Sequence, residues 1–189
     1  MKKIRVLGID DSYFKPHHSG KVAIVGVVMR DGNYIEGFLK RTATVDGNDI
    51  TDCVMDMLNS KYRDQIKIIM TQGITFGGFN VLDAEAVYKE TKVPVIVVSR
   101  RHPNIERIEL ALKANFEDWE RRLKLIKNTP IEEMRNGPWT IYVQRVGIEK
   151  RLAEEIIRKF TVRGAVPEPI RVAHLLASAL YFGESKGKP

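Results

Sequence analysis

The sequence predicts an α/β protein built on a mixed sheet, and three observations lead there. Three apolar runs of strand length come first, two of them joined by an Asp-Gly turn. Further buried runs then alternate with helix-length amphipathic segments, and the first run of all ends on two adjacent carboxylates. A tight Asp-Gly turn between β-rich runs implies an antiparallel meander, whereas strands that alternate with helices imply parallel pairing.

Ile4, Val6, Leu7 and Ile9 give the first strand, and Asp10 and Asp11 stand where it leaves the core. Residues 14–21 read as a loop broken by Pro16 and Gly20, with His17 and His18 solvated in it. Residues 22–30 and 34–43 are the second and third strands, separated by Asp31-Gly32-Asn33. Asp49 or Thr51 is placed to cap a helix that runs to about residue 60, with Val54, Met57 and Leu58 as its apolar stripe. Residues 66–70 form a buried strand, residues 71–80 a glycine-rich turn, and Asn80 caps a helix through residue 89. Residues 93–99 return as another buried strand.

Ile105, Ile108, Leu112, Phe116, Trp119, Leu123 and Ile126 recur at three- and four-residue spacing, which predicts one long amphipathic helix. Asn136-Gly137-Pro138 interrupts the chain, residues 139–146 make an edge strand and residues 149–160 a helix. Val166-Pro167-Glu168-Pro169 stiffens the approach to a last helix over residues 170–182, and residues 183–189 are left as a frayed tail. This order of elements is that of a ribonuclease H-like sheet within a single domain over residues 1–182.

A chain of 189 residues with 43% hydrophobic and 29% charged residues suits one sizeable core and excludes a disordered or membrane-spanning composition. No apolar run reaches spanning length and none reads as a signal peptide, so a soluble, cytoplasmic protein with no membrane partner is expected. The single Cys53 excludes an internal disulfide framework and a cysteine zinc site. A net charge of +7 favours a polyanionic partner without specifying one. Composition leaves oligomeric state open.

Carboxylates at a strand end are rigidly held yet reach solvent, which suits a hard cation such as Mg²⁺. Asp10-Asp11-Ser12 is equally the composition of a plain turn.

At this point the sequence resembles endonuclease V, a metal-dependent nuclease that cuts near deaminated bases, and more closely its archaeal relatives, some described as endonuclease dU. Gly8-Ile9-Asp10-Asp11-Ser12-Tyr13 is similar to the family's first-strand motif, in which Asp10 would be the central metal ligand. Val166-Pro167-Glu168-Pro169-Ile170-Arg171-Val172-Ala173-His174 is similar to its carboxyl-terminal motif, whose last residue is an acidic or histidine active-site group. Gln72-Gly73-Ile74 falls on the family's glycine turn, but Met70 replaces the aspartate before it and Phe76 stands where a histidine is usual. The family's glutamate between third strand and first helix has its nearest counterpart in Asp46 or Asp49.

The resemblance implies that Asp10, Asp46, Asp11 and Asp49 gather around Mg²⁺ or Mn²⁺, with Asp10, Asp46 and His174 as the catalytic set. Without a metal, the same aspartates make turns and a helix cap. His174 shares a helical face with Ser178 and Tyr181, with Val172, Leu175, Leu176 and Ala179 pointing away. Gly73, Gly77 and Gly78 would let a base approach the backbone, Phe76, Phe79 and Tyr13 would stack on it, and Gln72 would read its edge. Plain turn chemistry accounts for that loop as well.

Basic pairs at Arg100-Arg101, Arg121-Arg122, Lys150-Arg151 and Arg158-Lys159 would hold phosphates or simply face water, and Arg100 and Arg101, at the end of a buried strand, stand nearest the active edge. The implied function is Mg²⁺-dependent cleavage of DNA, with RNA as a second substrate, near deoxyuridine or inosine, as in DNA repair. Two alternatives stay open: a nucleic-acid-binding module without catalysis, and a ribonuclease for inosine-containing RNA.

Overall fold

Side chains alternate along the first strand, and that alternation decides how the layers form. In the computed structural model, which describes residues 3–14 and 20–187, β1 (Arg5–Asp11) sends Leu7 and Ile9 into one apolar cluster and Val6 into another on the opposite face. Both clusters are fully buried, so the sheet carries helices on each side. The reading of His17 and His18 lies outside the described residues.

β2 (Lys21–Arg30) and β3 (Tyr34–Thr44) extend β1 as the expected antiparallel meander. After α1 (Ile50–Leu58), β4 (Ile66–Gln72) pairs parallel with β1 on its other side. The glycine-rich segment holds a small hairpin, β5 (Thr75–Phe76) with β6 (Asn80–Val81), and α2 (Ala84–Thr91) then leads to β7 (Val95–Ser99), parallel to β4. α3 (Ile105–Asn115), α4 (Trp119–Lys127), β8 (Glu132–Asn136), β9 (Trp139–Val146), α5 (Lys150–Lys159) and α6 (Glu168–Phe182) complete the chain. The large sheet has seven strands in the order β3-β2-β1-β4-β7-β9-β8. Helices α1 to α4 supply one cluster, and α5 with α6 supplies the other.

Four expectations are corrected. The predicted long helix is two: Phe116 adopts an extended backbone, and α4 restarts after Asp118. β9 is not an edge strand, because β8 pairs antiparallel outside it. α2 is capped by Asp83, whose carboxylate accepts from the Ala86 amide, whereas Asn80 is buried and accepts from the Ile50 amide at the start of α1. On α6 the buried stripe is Ile170, Ala173 and Ala177, and the two alanines, with Gly8 on β1, let this helix lie close on the strand. Among the described residues, no helix is long and apolar enough to cross a membrane.

Candidate active site

Parity along paired strands sets the site. Gly8 of β1 is in register with Met70 and Ile9 with Thr71, so Asp10 and Gln72 stand side by side one residue further on, facing α6. α6 then brings His174 across the sheet edge, with Nδ1 2.8 Å from Asp10 Oδ2. Asp10 is 5% exposed, and its Oδ1 accepts from the Asp11 amide at 3.0 Å. Asp11, with the opposite parity, accepts from the Gly77 amide on the glycine-rich turn. Asp10, Asp11, Gln72 and His174 line one open pocket of about 440 Å³ with Tyr13 and Phe182. Two buried polar atoms in it have no hydrogen-bond partner, Gln72 Oε1 and His174 Nε2.

Electrostatics follow from this crowding. Burial pushes the Asp10 carboxyl up, against the lowering hydrogen bond and charge of His174. Burial first, and then the negative charge of Asp10, pushes Asp11 up to about 7. The hydrogen bond that His174 donates to Asp10 raises the imidazole, partly offset by burial.

A carboxyl raised above its ordinary value of 3.8 contributes stability that is fully present below that pH and is lost as pH climbs through the folded value. His174 acts in the same direction, contributing below 6.5 and losing its contribution as pH rises through its raised value. In chelator, the melting temperature should therefore drop by a few degrees between about pH 4 and pH 8. Asp11→Asn should flatten that decline below pH 7, as thermal melts across pH would show; an unchanged slope would refute the assignment.

The other aspartates have different surroundings. Asp46 has a left-handed backbone, φ 55°, and its Oδ1 accepts from the Phe79 amide at 2.8 Å, so it braces the glycine-rich turn beyond the pocket lining. Asp49 accepts from the Thr44 amide and hydroxyl, from Asn80 and from Lys21. Burial alone would raise its pKa, but these donors outweigh it and hold the carboxyl well below the usual range. Its oxygens are engaged in joining β3 to α1, so the expected gathering of four carboxylates reduces to Asp10 and Asp11. Among the described residues, no three His, Cys, Asp or Glu side chains are grouped to hold a metal by themselves.

The glycine-rich turn also departs from expectation. Phe76 is 1% exposed in the core and Phe79 packs edge-on against Phe116, so neither is placed to stack on a base. A side chain at Gly77 would meet Val22 at 2.7 Å and one at Gly78 would meet Asp46 at 2.1 Å, so close packing within the turn demands those two glycines. Gly73, φ 75°, is open on its side-chain face. Met70 is fully buried under α6, and the polar side chain that β4 presents beside Asp10 is Gln72. Arg122 is likewise buried, bonded to Asp118, Gly47 and Phe79, and is unavailable to phosphates.

Tyr13 is half exposed, with Tyr181 and Phe182 at ring-centroid distances of 5.0 and 5.2 Å. The sequence had singled out Tyr13 and Tyr181; Phe182 was legible only as a helix end. Residues 183–187, expected to fray, turn back so that the Lys186 amide donates to Ser178 Oγ at 2.7 Å and Gly187 comes near His174 Nε2. Arg101 lies in a neighbouring groove with Arg100 and Arg171.

A mixed sheet of this order, with a carboxylate pair and a histidine at the carboxyl edge of its parallel strands, defines a nuclease-type α/β protein. The same fold occurs in endonuclease V of Ciona intestinalis bound to inosine-containing DNA, with a TM-score of 0.64 at 15% identity over 93% of this chain and 84% of that one. A model of the family described as endonuclease dU matches residues 2–181, and the chain belongs to that family. A UPF0215 protein of Methanothermobacter thermautotrophicus is 44% identical over 186 residues, covering 98% of this chain and 91% of that one. A protein of unknown function from Archaeoglobus fulgidus is 43% identical with a TM-score of 0.83, covering 94% of this chain and 98% of its own. Fold and family together place the chain among nucleases acting on nucleic acid.

Proposed function

We propose that the chain is a divalent-cation-dependent endonuclease that hydrolyses a phosphodiester bond near a deaminated base, deoxyuridine or inosine, in DNA. The observation that carries this reading is the pocket in which two raised carboxylates meet two unpartnered polar atoms, Gln72 Oε1 and His174 Nε2. The donors fit Mg²⁺ or Mn²⁺: two carboxylates and an amide oxygen are hard ligands, and Mg²⁺ characteristically takes one or two carboxylates while the substrate's phosphate and water complete its shell. Asp10 and Asp11 would hold the ion, with Gln72 beside them. When bound, it would polarise the phosphate and lower the pKa of an attacking water.

The chain's own side chains have distinct tasks. Asp10 fixes the ring of His174 through Nδ1 and favours its protonated form, which leaves an Nε2 proton to donate to a phosphate oxygen. Tyr13, Tyr181 and Phe182 offer a half-exposed aromatic face at the pocket mouth on which an unstacked base would rest.

The test uses pure protein with end-labelled strands containing one deoxyuridine, one inosine or neither, in Mg²⁺, in Mn²⁺ and in chelator. Cuts confined to modified strands and to metal support the reading. Equal cutting of all strands removes base specificity, and undiminished cutting in chelator removes the cation. Matched RNA strands distinguish the ribonuclease alternative.

A further inference from the structure

Arginines from three separate elements converge on one groove of about 600 Å³ beside the candidate site. Arg100 and Arg101 follow β7, Arg163 sits in the α5–α6 connection, and Arg171 lies in the second turn of α6. Trp139, at the start of β9 and 51% exposed, forms part of the same wall, and no acidic residue lines the groove among the described residues.

This is not a solvated helix face. Most arginines elsewhere have carboxylate partners, as in Arg5 with Glu36, Arg145 with Glu132 and Arg158 with Glu154, although among the described residues Arg63, Arg107 and Arg135 do not. Among the described residues, neither Arg101 nor Arg163 has one. Arg171 is held in place by Glu168 through Nε and Nη2, at 2.9 and 2.6 Å. The loop carrying Arg163 is pinned by buried Asn136, whose amide donates to Thr161 Oγ1 and to the Ala165 carbonyl. The groove is therefore preformed.

It also lies beside the pocket, although the two share no lining residue. Arg171 precedes His174 by one helical turn on the same face, and the positive charge of Arg100 bears on the imidazole. Parallel pairing of β4 with β7 puts Gln72 opposite Val98, two residues before Arg100.

We propose that this groove holds an unpaired stretch of the same polynucleotide strand that is cut, with arginines on successive phosphates and Trp139 stacked on a base. The inference rests on the nuclease reading and names the form of substrate it takes. Phosphate contacts give salt-dependent affinity without sequence preference, and a planar side chain accepts any base whose face is uncovered. A base inside a duplex has no such free face, so Trp139 selects single-stranded or locally opened nucleic acid.

Binding is measured separately from cleavage, in chelator and in the Asp10→Asn background, by titrating Trp fluorescence and anisotropy with single-stranded DNA, single-stranded RNA and blunt duplex at several salt concentrations. Arg101→Gln with Arg163→Gln should reduce the slope of log affinity against log salt by about 1.4 for single strands. The charge-conserving pair Arg101→Lys with Arg163→Lys should keep the slope, and Arg151→Gln, 92% exposed on α5, should not move it. Trp139→Ala should weaken single-strand binding about tenfold with little change of slope, and blunt duplex should leave Trp139 fluorescence unquenched.

Equal slopes for DNA and RNA assign the site to phosphates, and a response with one polymer alone assigns it to that polymer. An unchanged slope in the glutamine pair, or unchanged single-strand affinity in Trp139→Ala, overturns the proposal even if cleavage is confirmed. A failed cleavage assay with these binding effects intact would instead overturn the nuclease reading.

Discussion

Asp10→Asn is expected to lower cleavage of a modified strand by about 1,000-fold or more, the equivalent of several kcal/mol of transition-state stabilisation. Asp10 joins the two halves of the site: it accepts the imidazole of His174 and stands beside Gln72. Asparagine keeps the shape and the capacity to accept from the Asp11 amide, but it removes the charge that would attract a cation and that favours protonated His174. Folding should survive, since the replacement relieves repulsion from Asp11. Single-turnover rates in Mg²⁺, beside a thermal melt of the same preparation, check both halves. Activity within tenfold of the parent, with an intact fold, would mean that the phosphodiester is cut elsewhere.

Gly8→Ala should cost about 3 kcal/mol of stability, near the upper end of ordinary overpacking, and lower the melting temperature by about 10 °C. A Cβ at Gly8 would lie 2.3 Å from the carbonyl carbon of Pro169 and 2.4 Å from its oxygen. Those are backbone atoms in the first turn of α6, and Pro167 and Pro169 restrict how that turn can yield. The helix must therefore shift away from β1, carrying His174 from Asp10, so activity should fall along with stability. Urea denaturation of Gly8→Ala beside Gly20→Ala, a position with no atom within 4 Å of the added carbon, separates the clash from any general effect of removing a glycine. Equal stabilities would show that α6 does not pack on β1 in this way.

The meander, the parallel strands and the closing helix were legible because each leaves an apolar run bounded by turn residues. β8 was not: its sequence, EEMRN, buries only Met134 and Asn136, so no alternation of apolar residues marks it. The break between α3 and α4 was hidden because Leu112 on one and Leu123 and Ile126 on the other enter the same cluster, so the periodicity continues across it.

In the site, motif resemblance located Asp10 and His174, the pair that the fold brings together. Asp49 was indistinguishable from a ligand because its donors come from Lys21, Thr44 and Asn80, and their approach is a tertiary fact. Gln72 was read only as a base reader, because its place beside Asp10 follows from the register between β1 and β4, which the sequence does not show. The glycines of the turn looked like room for a ligand, and Gly77 and Gly78 proved to be room for the protein itself.

The imidazole and carboxylate that meet at 2.8 Å are separated by 164 positions along the chain. During synthesis, Asp10 leaves the ribosome long before its partner has been translated, so a growing or prematurely terminated polypeptide carries an unfinished site. The carboxylate–imidazole pair is thus completed only when α6 packs on β1, so a chain that stops short of α6 lacks it.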